Sequence, residues 1–272
     1  MFGEYEIKKQ ICEIGKRIYN QGFVAANDGN ITVKISDNEV IATPTGISKG
    51  FMTPEMLVKT DMNGKVLESY GSYRPSSELK MHLRVYKERP DVKSVVHAHP
   101  PYATSFAIAG IPLTQPIMPE AVIALGCVPI AAYGTPSTEE IPDAVSQYLQ
   151  HYDAVLLENH GALSYSDSLL NAYHKMESLE FYAKLLFISK HLGGPQELSN
   201  QQVQRLYQLR TEMGIAGKHP ADLCSNLGNT SGGCGCSSST KSAPAPTEPE
   251  NMDQLVAQIT KRILAELKDG SK

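Results

Sequence analysis

After Pro220 the sequence loses the means to build a core. The stretch NLGNTSGGCGCSSSTKSAPAPTEPEN carries few large apolar side chains and is rich in Gly, Ser, Thr and Pro, so burial cannot offset the entropy of ordering it. It reads as a disordered linker over 220–250. Beyond it Met252, Leu255, Val256, Ile259, Ile263, Leu264 and Leu267 recur at helical spacing, with Asp253, Lys261, Arg262, Glu266 and Lys268 largely off that stripe. A helix over 251–272 on such a tether has no core of its own, and its apolar face needs another surface. The foldable domain is thus residues 1–219, and with 41% of the 272 residues hydrophobic there is material for one α/β domain.

Charge and patterning narrow the class. A formal net charge of −4 gives no basic footprint for nucleic acid. No run of about 18 apolar residues suggests a membrane span, and MFGEYEIKKQ lacks a signal-peptide pattern. The expectation is a soluble intracellular protein without nucleic-acid or membrane partners. Five cysteines without a regular framework argue against a disulfide-built fold, and Cys12 and Cys127 read as buried thiols.

Ile7, Ile11, Ile14 and Ile18 predict an amphipathic first helix closing at Gly22. NITVKISDNEVIATP predicts two short strands, 31–35 and 39–42, and Asn63-Gly64 a hairpin turn in KTDMNGKVLE. Ser77 is the expected N-cap of a helix over 78–88, ended by Pro90. Then come the strand KSVVHAH, a helix over 102–109, the strand CVPIAAY, a helix over 139–150, the strands DAVLLEN and GALSYS, and helices over 167–191 and 200–213. Paired strands interleaved with helices imply a mixed sheet with helices packed on it; no strand order is assigned.

Chemistry gathers in SVVHAHPPYA. Side chains two residues apart on a strand share a face, so His97 and His99 leave it together. Neutral imidazole is a good zinc ligand, and a catalytic zinc keeps three protein ligands and one open position. The best third ligand is His160 in ENHGAL, whose following glycine permits close backbone approach. The alternative is a pair of ordinary polar-facing histidines. His82 is expected on the helix surface or behind the site, His174 in packing or hydrogen bonding, and His151, His191 and His219 in solvent. Glu78, in the first turn of its helix, is either a capping carboxylate favoured by the helix dipole or a general acid/base beside a metal. Ser76 and Ser77 with that helix start, and the turns NDGN and PTGIS, offer donors for a small phosphate.

GNIT, TPTGIS, RPSSELKMH, VVHAHPPYAT and LLENHGAL, in this order, resemble the class II aldolase family that includes L-fuculose-1-phosphate aldolase and L-ribulose-5-phosphate 4-epimerase, over about residues 4–215. The resemblance implies a three-layer α/β/α fold with a central mostly antiparallel sheet, a homotetramer with sites at subunit interfaces, and zinc on His97, His99 and His160. It assigns Glu78 as the acid/base carboxylate, able to approach the metal in the resting site, and Asn30, Thr45, Gly46, Ser76 and Ser77 to the substrate phosphate. The SSE form is similar to the aldolases, where the epimerases typically carry Asp at the position of Glu78. The implied reaction is zinc-dependent cleavage of a 6-deoxy-ketohexose 1-phosphate, L-fuculose or L-rhamnulose 1-phosphate, to dihydroxyacetone phosphate and L-lactaldehyde. A 4-epimerase or sugar-phosphate dehydratase on the same site, and a non-catalytic assembly protein, are the alternatives. Fuculose-type aldolases use a neighbouring subunit's tyrosine as aldehyde-side proton donor; here IMPEAVIALG offers Pro119 and Glu120, with Glu120 the candidate, and Met213 stands where a C-terminal tyrosine would be expected.

The tail lies outside the family's usual length and resembles the encapsulation peptides that attach cargo enzymes to bacterial microcompartment shells. That implies shell-protein contact through residues 251–268 and residence in a microcompartment within the cytoplasm. Docking of the helix on the protein's own tetramer is the alternative. Cys234 and Cys236 are exposed thiols or ligands for a soft metal or iron cofactor.

Overall fold

A computed structural model of the chain describes residues 3–224. Of the linker expected over 220–250, residues 221–223 instead form a short 3-10 turn leading to Cys224; the rest of it, with Cys234 and Cys236, and the helix expected over 251–272 lie outside the described residues. Eight strands form one sheet: β1 (Asn30–Lys34), β2 (Glu39–Ala42), β3 (Val58–Asp61), β4 (Val66–Glu68), β5 (Ser94–Ala98), β6 (Ile130–Ala131), β7 (Ala154–Leu157) and β8 (Gly161–Ser166). Their order is β4-β3-β2-β1-β5-β8-β7-β6. Every pair is antiparallel except β6 with β7, as the mostly antiparallel expectation required.

The period of two along these strands sorts side chains into two cores. Ile31, Ile41, Val96, Ala98, Leu156 and Ala162 bury against α1 (Glu4–Asn20), α3 (Pro101–Ile108) and α6 (Leu169–His191). Their neighbours Val40, Val95, Val155 and Leu163 bury on the opposite face against α2 (Leu79–Glu88) and α5 (Glu140–Ser146). A sheet buried on both faces between helices is the three-layer fold that the family resemblance implied. In α1 the buried residues are Ile11, Ile14, Gly15 and Ile18, one side of a helix whose first turn carries Glu4 and Glu6 toward the positive end of its dipole. Ser168 caps α6 by accepting from the Asn171 N–H, and Ser199 with Gln202 forms a capping box at the start of α7 (Asn200–Glu212).

Several local expectations are corrected. CVPIAAY gives only the two-residue β6, because Pro129 has no N–H for a ladder and Val128 instead bridges Leu113. IMPEAVIALG contains α4 (Pro119–Ala124), a short helix that the periodicity did not reveal. Ser77 is not an N-cap: Glu78 holds that position, and no side chain caps the helix start. Cys127 is not a free thiol but is disulfide-bonded to Cys224, 97 residues on, which ties the end of the described fold to the core. Cys12 is a free thiol but half-buried rather than buried as expected, and what burial it has pushes it up to about 11. His219 is not solvated; its Nε2 lies 2.6 Å from the Val122 carbonyl and its ring meets the edge of Tyr207. His174 is exposed beside the Tyr173 ring. Among the described residues no helix is long and apolar enough to cross a membrane.

A charged knot sits at one edge of the second core. Arg89, 2% exposed, donates to the Leu149 and Tyr152 carbonyls and to Asp91 and Asp153. Asp153 also accepts from Lys175 Nζ at 2.6 Å, and the Ser166 hydroxyl lies 3.1 Å from that ammonium. Two buried cations thus share one buried carboxylate.

Candidate active site

Register brings the candidate residues together. Asn30, first in β1, pairs with His97 of β5, and His97 pairs on its other side with Leu163 of β8. His97 shares the Val95 face of the sheet, toward α2. His99 follows directly after β5, held by its backbone N–H on the Phe23 carbonyl at 2.8 Å. His160 occupies the corner between β7 and β8, with its N–H on Leu157 O at 3.0 Å. Gly161 makes that corner possible: a Cβ there would fall 2.6 Å from both the Ala98 carbonyl and the His99 ring.

The three imidazoles each offer a ligand atom, and these atoms all lie within 4.8 Å of one another. His97 Nε2 is 3.1 Å from His99 Nε2. The Glu78 carboxylate spans the group, with Oε2 3.3 Å from His97 Nε2 and Oε1 3.2 Å from His160 Nε2. Glu78 therefore faces the histidines rather than the amides of its own helix, which decides against the capping alternative. The Asn30 amide donates to Glu78 Oε2 at 2.8 Å, so Asn30 orients the carboxylate as well as lining the cavity.

Tautomers follow from the outer contacts. His97 Nδ1 lies 2.9 Å from the Ala162 carbonyl, which only a protonated Nδ1 can satisfy, leaving Nε2 with a lone pair facing the group. Burial, followed by the fields of His160 and His99, holds His97 well below the usual histidine range. Burial also lowers His160, against the opposing pull of Glu78. Three imidazoles with ligand nitrogens converging are the donor set of a divalent-metal site, and the buried Glu78 Oε1, which has no hydrogen-bond donor, suits the same reading. His82 is fully buried rather than on the helix surface, with Nδ1 2.8 Å from Thr32 Oγ1, and burial pushes it down to about 3. It stands behind the site and outside the ligand group.

Beside the histidines is an open cavity of about 230 Å³, lined by Asn30, Thr45, Gly46, Ser76, Ser77, Glu78, His99 and His160 among others. Two loops build its wall by backbone pairing: Thr45 N–H donates to Arg74 O at 2.9 Å and Ser76 N–H to Thr43 O at 3.1 Å. Gly46 turns there with φ +74°. All five phosphate-binding candidates thus reach one cavity. Asp28 and Lys49 also line it, and sequence reasoning missed both. Asp28 Oδ2 lies 3.5 Å from His99 Nδ1. Glu120 does not join the group within one chain; it is exposed in the first turn of α4 and does not line this cavity. A larger cavity of about 600 Å³, lined by Val122, Leu198, Val203 and Tyr207 among others, contains none of the candidate residues.

Residues 9–187 match the family described as Class II Aldolase and Adducin N-terminal domain. The chain belongs to that family. It is a class II aldolase-like lyase, as its relatives and structural neighbours agree. A 3-oxo-tetronate 4-phosphate decarboxylase of Haemophilus influenzae is 33% identical over 66% of this chain and 86% of its own. A 5-deoxy-D-ribulose 1-phosphate aldolase of Bacillus thuringiensis is 30% identical over 73% of this chain and 92% of its own. The solved structure of an L-fuculose 1-phosphate aldolase superposes with a TM-score of 0.70 and 29% identity, covering 76% of this chain and 96% of that one. In this class II aldolase His99, His160 and the Glu78 carboxylate line one cavity, with His97 buried behind them.

Proposed function

We propose that this class II aldolase cleaves a 6-deoxy-ketohexose 1-phosphate, with L-fuculose 1-phosphate as first candidate and L-rhamnulose 1-phosphate as second, to dihydroxyacetone phosphate and L-lactaldehyde. The observation that carries the reading is the convergence of His97, His99, His160 and Glu78 at the edge of a cavity walled by Thr45, Gly46, Ser76 and Ser77. Zinc, held by the three histidines, would supply Lewis-acid polarisation of the substrate carbonyl. Ser76, Ser77, Thr45 and the Gly46 turn bind the phosphate and so fix the distance from it to the reacting carbons. Glu78 handles the proton at the carbon next to the carbonyl. The hydroxyl of the departing half loses its proton to a base on the aldehyde side, and the carbon–carbon bond breaks to release the aldehyde and leaves its electron pair on that carbon. The Glu78 carboxyl group protonates it, so that one proton is lost and one gained. Asn30 keeps one carboxylate oxygen in place while this happens.

The assay is direct. Zinc-loaded protein is expected to release dihydroxyacetone phosphate from L-fuculose 1-phosphate or L-rhamnulose 1-phosphate. The absence of triose phosphate from both, with epimerisation of a pentulose phosphate instead, would overturn the aldolase reading in favour of a 4-epimerase. Because one relative is a decarboxylase, 3-oxo-tetronate 4-phosphate belongs in the same assay with carbon dioxide as its readout.

Oligomerisation and targeting extend the proposal. The family resemblance supports a homotetramer in which Glu120 of one protomer could serve a neighbour's aldehyde side. The apolar stripe from Met252 to Leu267 supports docking on a microcompartment shell. Removal of residues 225–272, which spares the Cys127–Cys224 bond, is expected to leave cleavage within about twofold of the full chain, while abolishing co-sedimentation with shells. Unchanged co-sedimentation would refute targeting by the tail.

A further inference from the structure

Lys49 stands out among the cavity residues because it is a charge buried where nothing neutralises it. The residue is 1% exposed. Its ammonium donates to the Asn27 carbonyl at 2.9 Å and the Ile47 carbonyl at 2.7 Å. An ammonium has three donors, so one remains. Among the described residues no carboxylate is ion-paired with Nζ; the Asp28 carboxylate acts on it only at longer range, and burial brings the group down to about 8. Arg89 and Lys175, also buried, share Asp153 at hydrogen-bonding distance, whereas buried Arg210, like Lys49, rests on carbonyls, those of Ile123 and Ala216, but lies outside this cavity. A buried cation without a counter-charge is costly.

The cavity explains the placement. Lys49 lines it together with Thr45, Gly46, Ser76 and Ser77, whose hydroxyl and backbone donors are all neutral. Glu78 and Asp28 line the same cavity, and their negative charge opposes the entry of a phosphoryl dianion. Zinc on the histidines would offset part of that charge at the carbonyl end of a substrate; among the lining residues that wall the phosphate side, Lys49 brings the positive charge. The two carbonyls that hold Lys49 belong to the turns at 27–30 and 44–48, so the charge is anchored at the meeting point of the loops that would surround the phosphate.

Resting on the phosphate reading of this cavity, we propose that Lys49 is the cationic element of the phosphoryl subsite and the residue that makes this enzyme prefer phosphorylated to free ketoses. The test compares dissociation constants of dihydroxyacetone phosphate and unphosphorylated dihydroxyacetone for the zinc-loaded wild type, Lys49→Gln and Lys49→Arg. The expected result is a roughly 10- to 100-fold weaker dihydroxyacetone phosphate complex in Lys49→Gln, the range for a hydrogen bond to a charged group. Dihydroxyacetone binding and zinc content should stay unchanged, with much of the phosphate preference retained in Lys49→Arg. A Lys49→Gln protein with the wild-type preference would overturn the proposal. So would an equal weakening of both ligands, which would make Lys49 only a clamp between the two turns. A wild type with no preference for the phosphorylated ligand would instead refute the phosphate reading of the cavity. Should Lys49→Gln not fold, phosphorus NMR of dihydroxyacetone phosphate bound to the wild type decides. Its second ionisation should fall below the solution value of about 6, and an unchanged value overturns the proposal.

Discussion

Glu78→Gln is expected to leave the protein folded and loaded with metal while lowering aldol cleavage by about 10²- to 10⁴-fold, the usual contribution of a positioned general acid/base. The substitution preserves shape and keeps a hydrogen-bonding oxygen beside His97, His160 and Asn30, whose present distances to the carboxylate are 3.3, 3.2 and 2.8 Å. It removes the ability to hold and deliver a proton. Because His97, His99 and His160 remain, zinc content measured by atomic absorption should stay near that of the wild type. The loss should appear in kcat rather than in the affinity for dihydroxyacetone phosphate. A variant within threefold of the wild-type rate would remove Glu78 from the chemistry.

The second large effect concerns stability. Asp153→Ala is expected to destabilise the fold by about 3–5 kcal/mol, the cost of breaking a buried ion pair by removing one partner. Asp153 faces Arg89 at 2.8 Å and Lys175 at 2.6 Å, and all three side chains are at most 10% exposed. Without the carboxylate, two guanidinium and ammonium charges face each other in a site closed to water. Arg89 would keep Asp91 and two carbonyls, whereas Lys175 would keep only the Ser166 hydroxyl and a long contact to the Tyr165 carbonyl. Denaturant unfolding at fixed protein concentration, so that subunit association does not shift the midpoint, measures the difference. A change below about 1 kcal/mol, the range of an exposed pair, would show that the knot is not stabilising.

What was legible in the chain follows from the range over which each signal acts. The helix carrying Ile11, Ile14 and Ile18 and the strand carrying Val95 and His97 are written in residues two to four apart, and both formed where their periods placed them. The joint face of His97 and His99 is of the same local kind. Motif order added His160 and Glu78, although only as roles. Their relation was not legible: that Glu78 turns from its helix to span His97 and His160 depends on α2 packing against the Val95 face of the sheet.

The misses share this cause. Cys127 and Cys224 are separated by 97 residues, and spacing carries no sign of their meeting. His219 reads as solvated near an element end, whereas α4 brings the Val122 carbonyl to it. Nothing in the local sequence around Lys49 marks it for a cavity wall, and Asp28 stands inside the turn NDGN. By itself, the sequence determined most of the helices and strands, α4 and the extent of β6 excepted, and which residue types stand ready for chemistry, because hydrophobic period and turn propensity depend on near neighbours. Only the tertiary structure decided the strand order, the partner of each buried charge and the place of Lys49 in the cavity wall, because burial and pairing are settled by residues far apart in the chain.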